Sequence, residues 1–337
     1  VVGYAQISIC HNELILSWRI QHTFKHIPTS QASLALGVIG LGQAWALYLP
    51  EIGNIIRPFL ALLGTCLLLP VILKYVLNFK VFLVDISHPL NGSLMAPTSM
   101  ALLVLCDYLS LTLPNFAYSL WLVALLLHIM MMVMFFSFQL SNFKLSNIVP
   151  SWFLYPVGII SSTLAGSQLG HPLFSQQMAM ICITIYFVML PLVLYRLVFF
   201  GKLPRNARPT LAIMAAPINL TLTAYLVNFG DPDPVLAGAL AGIAITMTLL
   251  IYLCYINLTR LRFQPSIAAV TFPSVISAIA MFRLTSWFET HHVNWYWLHY
   301  FGFFEILLAT ALVIWVSIGY LTLYWPQQFS KLKIYYR

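Results

Sequence analysis

Apolar and polar positions along this chain fall into blocks instead of alternating. Ten apolar segments lie at about 28–49, 53–78, 94–113, 116–140, 149–168, 174–200, 208–229, 235–258, 266–288 and 295–324, separated by short polar connections. Each is long enough to cross a hydrocarbon core of roughly 30 Å as a helix. Barrel strands would need a strict in-out alternation, which these runs lack. A backbone in lipid must satisfy its own hydrogen bonds, so the blocks predict helices. Short connections make consecutive segments antiparallel neighbours. The expected fold class is therefore an all-α polytopic membrane bundle.

Texture alternates from one segment to the next. Odd segments are rich in small and hydroxyl residues, as in ASLALGVIGLGQA, APTSMA, VGIISSTLAGS and LAIMAAPINLTLTA. Even segments are bulkier, as in LWLVALLLHIMMMVMFF. Small residues let helix backbones approach or line a lumen, whereas bulky faces suit lipid, so odd helices are expected inside and even helices outside. Pro28, Pro97, Pro156, Pro217 and Pro273 fall one per odd segment. A period near 60 residues with two helices per unit is the pattern of an internal repeat, here five helical hairpins around a central pore. Pro28 and Pro97 are read at or near helix starts, Pro217 and Pro273 as mid-helix.

Composition agrees with this picture: 61% of residues are hydrophobic and 7% are charged, against roughly 25% charged in soluble domains. The net charge of +8 belongs to topology and not to a nucleic-acid surface, because the basic residues are scattered among the connections. Arg19, Lys25, Lys74, Lys80, Lys144, Arg196, Lys202, Arg205, Arg208, Arg260, Arg262, Lys331, Lys333 and Arg337 fall on one side of an alternating ten-span path. Basic residues collect in the cytoplasm, so both termini are placed there, in a plasma or bacterial inner membrane. Only Arg57 and Arg283 lie near the opposite ends, where Glu51, Asp231, Asp233 and Glu289 also fall. The chain divides into a cytoplasmic leader (1–26), a transport domain (27–325) and a basic cytoplasmic tail (326–337). Cys10, Cys66, Cys106, Cys182 and Cys254 match no metal or redox spacing and are read as reduced apolar fillers. No cofactor and no metal site are expected, and the paired His291 and His292 lack a third placed ligand.

Four stretches carry a resemblance: HPLNGSLMAPTSMALLVLCDYL (88–109), VPSWFLYPVGIISSTLAG (149–166), RPTLAIMAAPINLTLTAYL (208–226) and SIAAVTFPSVISAIA (266–280). In their order and spacing the chain resembles the tellurite-resistance/dicarboxylate transporter family, which includes bacterial TehA, fungal malate permeases and sulfite pumps, and plant slow anion channels. The resemblance implies ten helices in five hairpins, odd helices around a pore, even helices in a lipid-facing ring, and a homotrimer. It also implies a gating aromatic within a T-F-P sequence, here Thr271, Phe272 and Pro273.

The residues themselves offer candidate chemistry for a pore. A ring at a constriction blocks hydrated ions by sterics and dewetting, so Phe272 with Pro273 is the candidate gate. Uncharged hydroxyls, amides and broken-helix N-termini can favour anions without a ring of arginines. The candidates are Thr98 and Ser99, Ser161 and Ser162, Asn219 and Thr221, and Ser274; each can equally serve helix-helix hydrogen bonding. Asp107 and Glu305 are intramembrane acids, functional candidates by default. Asp107 can pair with a cation, carry a proton or cap backbone, and Arg283 either snorkels outward or pairs with it. His88 is placed at the inner mouth, where it can meet an anion. The functional expectation is movement of small inorganic or dicarboxylate anions, with proton-coupled malate, sulfite or tellurite transport as alternatives. A membrane enzyme would need a nucleophile-base or metal constellation that the sequence does not show; a flux-silent receptor or scaffold is the other class.

Overall fold

The computed structural model describes residues 24–293 and 295–323; the leader before residue 24 and the basic tail lie outside them. The described residues are helical throughout, without a strand. In chain order the α-helices are α1 (Gln31–Tyr48), α2 (Pro50–Leu77), α3 (Phe79–Ser87), α4 (Pro89–Ser93), α5 (Ala96–Leu109), α6 (Pro114–Ser141), α7 (Ser162–Gly166), α8 (Pro172–Phe199), α9 (Ala216–Asn228), α10 (Pro234–Leu258), α11 (Thr271–Thr290) and α12 (Tyr296–Leu323). Short 3₁₀ segments include Pro150–Leu154, Gly158–Ser161, Arg208–Ala215 and Pro265–Val270. Helices α2, α6, α8 and α10 each begin with proline, which has no N–H to lose at that position and a φ already suited to the turn.

Eight helical stretches are long and apolar enough to cross a bilayer. Burial divides them into two groups. Over their most apolar windows, 89–109, 208–228 and 265–290 are buried for 83%, 83% and 94% of positions, whereas α2, α6, α8, α10 and 296–322 are buried for 28–39%. Two further elements, α1 and the broken run 150–166, are also buried along most of their length. These five buried elements form a closed ring. Helix α1 packs on α5, α5 on Gly158–Gly166, that run on α9, α9 on α11, and α11 returns to α1. The outer helices bare large apolar side chains such as Ile55, Leu126, Val188, Leu253 and Ile314, as a lipid-facing layer must when no water needs excluding.

The inner elements depart from the sequence expectation in one consistent way. The 149–168 run is not one helix: it passes through two 3₁₀ pieces around Pro156 before the single turn of α7. Pro217 and Pro273, read as mid-helix, instead sit in the first turn of α9 and α11, each just after a 3₁₀ segment; Pro97 has the same place in α5. The reason is local. A proline ring clashes with the turn before it and removes a donor, so the chain changes helix type there, and the 3₁₀ segment supplies i→i+3 bonds such as Thr271 N to Ala268 O.

Candidate functional site

The elements of the inner ring converge on one narrow point. A cavity of about 10 Å³ is lined by Ser33 and Leu36 of α1, Pro97 of α5, Leu154, Ile213, Ala216 of α9, and Ala269, Phe272 and Pro273 at the start of α11. All five inner elements contribute. A water needs roughly 10–15 Å³ of such space, so the neck admits at most one. Phe272 is 3% exposed and fills the rest. Leu36, Leu154, Ile213 and the alanines make the neck apolar, and Ser33 contributes its only side-chain hydroxyl. That hydroxyl is buried without a hydrogen-bond partner.

Glycine sets how closely α1 can lie against the Phe272 turn. A Cβ on Gly37 would fall 2.6 Å from Thr271 Oγ1 and 3.2 Å from Phe272 N; one on Gly40 would fall 3.1 Å from Val275 Cγ1 and 3.8 Å from the Phe272 ring. Thr271 is held from both sides, its hydroxyl 3.0 Å from Ser33 O and 2.8 Å from Ala268 O. Behind this turn, Tyr255 of α10 meets Ser274 Oγ at 2.7 Å. The backbone carrying the ring is therefore anchored on two faces, while the ring itself borders the free space of the neck.

The seven hydroxyl and amide candidates lie around the neck without lining it. Ser99 meets His128 Nδ1 at 2.8 Å, and His128 Nε2 is 2.8 Å from Tyr155 O; a carbonyl can only accept, so Nε2 carries the proton and Nδ1 accepts from Ser99. Ser161 and Thr221 donate to Gly158 O and Ile218 O within their own elements, and Ser274 donates to Val270 O. Asn219 donates to Ala215 O and Thr248 Oγ1, which leaves its Oδ1 unpartnered. Thr98 Oγ1 and Ser162 Oγ are buried without partners. The 3₁₀ continuity also uses first-turn donors, as in Thr98 N to Met95 O, so these helix starts are not free N–H clusters.

At one end of the ring lies a charged cluster. Asp107 Oδ2 accepts from Arg57 at 2.6 Å and from Gln43 at 2.9 Å, and Gln168 lies 3.5 Å from its other oxygen. The ion-pair partner is thus Arg57; the sequence alone leaves Arg283 either snorkelling outward or pairing with Asp107. Arg57 reaches in from the first turns of α2, lies over the Tyr108 ring and is largely buried. Arg283 of α11 is within electrostatic reach of both but hydrogen-bonds to neither. The signal for Arg57 was available: it is one of two basic residues off the basic side, at the same end as Asp107.

Elsewhere, Lys74 pairs with Asp85 at 2.7 Å beside Thr29 and Tyr75. His88 caps α4, its Nδ1 accepting from Leu90 N and Asn91 N at 3.2 Å, so that nitrogen is spent on backbone while the exposed ring keeps Nε2. Glu305 is fully buried; Oε1 accepts from Tyr252 at 3.1 Å and Oε2 has no partner. No group of acids, histidines and cysteines that could hold a metal occurs among the described residues.

A family model described as SLAC1, voltage-dependent anion channel, matches residues 26–323, the stretch that contains the whole ring. Among curated proteins, the uncharacterized transporter MJ0762 of Methanocaldococcus jannaschii is 23% identical over 314 residues, covering 83% of this chain and 92% of the relative. The uncharacterized transporter MJ0576 of the same organism is 22% identical over 315 residues, covering 83% and 90%.

Proposed function

The chain belongs to the voltage-dependent anion channel family, and from that premise we propose that it conducts small anions along the axis of its inner ring, with the Phe272 side chain as the plug. The observation that carries this reading is the neck: five inner elements meet at a cavity of about 10 Å³ closed by one aromatic ring. In this reading α1 and the broken run 150–166 join the eight apolar spans, giving ten crossings as five hairpins. The ring and its proline form the gate, and an apolar neck of this width blocks ions by dewetting until the ring swings aside.

A second feature supports an uncharged path. Each inner element holds at least one buried polar atom without a partner: Ser33 Oγ, Thr98 Oγ1, Ser162 Oγ, Asn219 Oδ1 and, with Arg283 Nε and Trp287 Nε1 on the same element, Ser266 Oγ. Such atoms cost free energy unless something occupies them; water passing between elements could satisfy all of them, and an anion could accept from the hydroxyls but not from the Asn219 amide oxygen. We read Ser99, Ser161, Thr221 and Ser274 as the second rank of the same polar face. The basic connections favour a cell or inner membrane with cytoplasmic termini, and the bare apolar outer faces leave room for lipid and for a homotrimer.

Flux measurement in proteoliposomes tests the proposal. Nitrate or chloride flux that rises with protein content and ignores an imposed pH gradient is expected. Absence of flux for chloride, nitrate, sulfite and malate from monodisperse protein would overturn it in favour of a receptor or scaffold. Malate uptake that requires a proton gradient would make it a carrier instead.

A further inference from the structure

Among the charges drawn in from solvent at the Asp107 end of the ring, bases outnumber acids, while Glu51, Asp231, Asp233 and Glu289 at the same end are exposed. Arg57 and Arg283 are both there, and Asp107 is the one acid among the three; its carboxylate is committed to Arg57 at 2.6 Å and to Gln43. Arg283 therefore brings a surplus positive charge. No described residue accepts a hydrogen bond from it, and its side chain is only half buried. Asp231 and Glu289 sit exposed on neighbouring turns and form no ion pair with it.

Arg283 also borders a cavity of about 290 Å³, between the end of α9 and the last turns of α11. Its polar lining is Arg283, Ser286, Trp287, Thr290 and His291. Trp287 is a second donor without an acceptor, its Nε1 closed off from solvent. The helix C-terminus beside the cavity would repel an anion if its carbonyls were bare. They are not: His291 N and Val293 N both bond Phe288 O, His292 N bonds Glu289 O, and Thr290 Oγ1 and His291 Nδ1 both turn back onto Trp287 O. What the cavity offers a ligand is donors and positive charge. Its size is near the lower end of ligand cavities of roughly 300–1,000 Å³. A guanidinium fork matches a planar oxyanion in two parallel bonds, which a spherical anion cannot exploit.

We propose that Arg283 and Trp287 form an anion-binding site at this mouth of the ring, separate from the Phe272 neck and selective for planar oxyanions, either nitrate or a carboxylate group. It rests on the anion-transport reading only for its use, not for its existence, because binding can be read without flux.

The test is thermal unfolding of the full chain in detergent, titrated with nitrate, malate or chloride at constant ionic strength set by a large sulfonate. A ligand that binds only the folded state raises the midpoint in a saturable way. Nitrate or malate, whichever is the natural class, should give a saturable rise, with chloride weaker. Arg283→Gln should raise the half-saturating concentration by about ten-fold or more, the range of one charge-assisted hydrogen bond. Arg283→Lys should fall between, keeping charge without the fork. Trp287→Phe, which keeps the ring packing, should raise it several-fold and serves if Arg283→Gln does not fold. An unchanged half-saturation in Arg283→Gln and Trp287→Phe, or no saturable shift with any of the three anions, overturns the site. Flux in liposomes runs in parallel: a protein that binds but conducts nothing removes the channel reading and leaves the site. Flux that persists while the binding half-saturation is unchanged in both variants removes the site and leaves the channel.

Discussion

Truncating Phe272 to alanine tests whether the ring closes the path or only packs it. In the present state the neck holds about 10 Å³ of free space. A phenyl ring displaces on the order of three water volumes of about 30 Å³ each, so Phe272→Ala opens a gap of roughly 100 Å³. The walls that remain are Leu36, Leu154, Ile213, Ala216, Ala269 and two prolines, with the unpartnered Ser33 hydroxyl among them. That hydroxyl gives incoming water a first partner. A dry gap would cost stability, about 3–5 kcal/mol for Phe→Ala in a core, and wetting would lower the cost. The two roles therefore separate on paired measurements. If the ring is a plug, nitrate or chloride flux in proteoliposomes should rise by about ten-fold or more, equivalent to about 1.4 kcal/mol off a barrier, while the unfolding midpoint falls less than a core truncation demands. Phe272→Leu should fall between. Unchanged flux from monodisperse Phe272→Ala, with the full stability loss, would refute the gate and leave Phe272 a packing residue.

Other expectations follow from the contacts around the neck and the charged cluster. Gly37→Ala places a methyl 2.6 Å from Thr271 Oγ1, a hydroxyl already held from two sides, and should cost about 1–3 kcal/mol in detergent unfolding; a cost within error would show that α1 is free to shift. Arg57→Gln leaves Asp107 buried and unpaired and should cost about 3–5 kcal/mol, with much of it recovered in the Arg57→Gln/Asp107→Asn double variant. Additive losses in that cycle would mean that the pair is not coupled, and a rescue by changing Arg283 instead would favour the Asp107–Arg283 pairing, one of the two alternatives for Arg283 read from sequence.

Much of the architecture was legible because a membrane imposes simple rules on composition. Eight of the ten apolar blocks appear as spans, and the difference between small-residue and bulky segments corresponds to the burial of the ring and its surround. The two elements that fall short show where the rule weakens. Gln31 and Gln43 make α1 more polar than its neighbours, yet both amides find partners, on Leu67 O and Asp107. The run 150–166 is apolar, and its break at Pro156 is invisible to a hydropathy pattern, which does not distinguish α from 3₁₀. At the site, Phe272 and Pro273 were found through a motif and reappear at the neck, whereas Ser33 and Arg57 were missed. Ser33 lies in a stretch of small residues with no local mark, and what singles it out is the absence of a partner, a three-dimensional property. Arg57 was assigned to no acid because pairing depends on which helix ends meet across the ring, and loop order alone left two arginines for one aspartate.

The residue before each first-turn proline explains why one ring is enough. In α5, α9 and α11 that residue is Ala96, Ala216 and Phe272, so the same local structure carries a methyl twice and a phenyl once. The fourth case, Tyr155 before Pro156, turns away from the axis: its hydroxyl donates to Gly92 O and its ring packs against Phe135. Ala216 and Phe272 line the same cavity, so two rings there would overfill a space that now has about 10 Å³ to spare. The neck is thus built from near-equivalent turns of which one bears an aromatic ring, and if that ring is the plug, closure should follow the ring and not the helix. Moving it tests this. Phe272→Ala should conduct, Ala216→Phe alone should be overpacked and less stable by about 1–3 kcal/mol, and the Phe272→Ala/Ala216→Phe double variant should regain both stability and low flux. If the double variant conducts as freely as Phe272→Ala, the anchoring of the α11 turn by Thr271 and Tyr255 is itself part of closure, and a ring without that anchor does not seal the path.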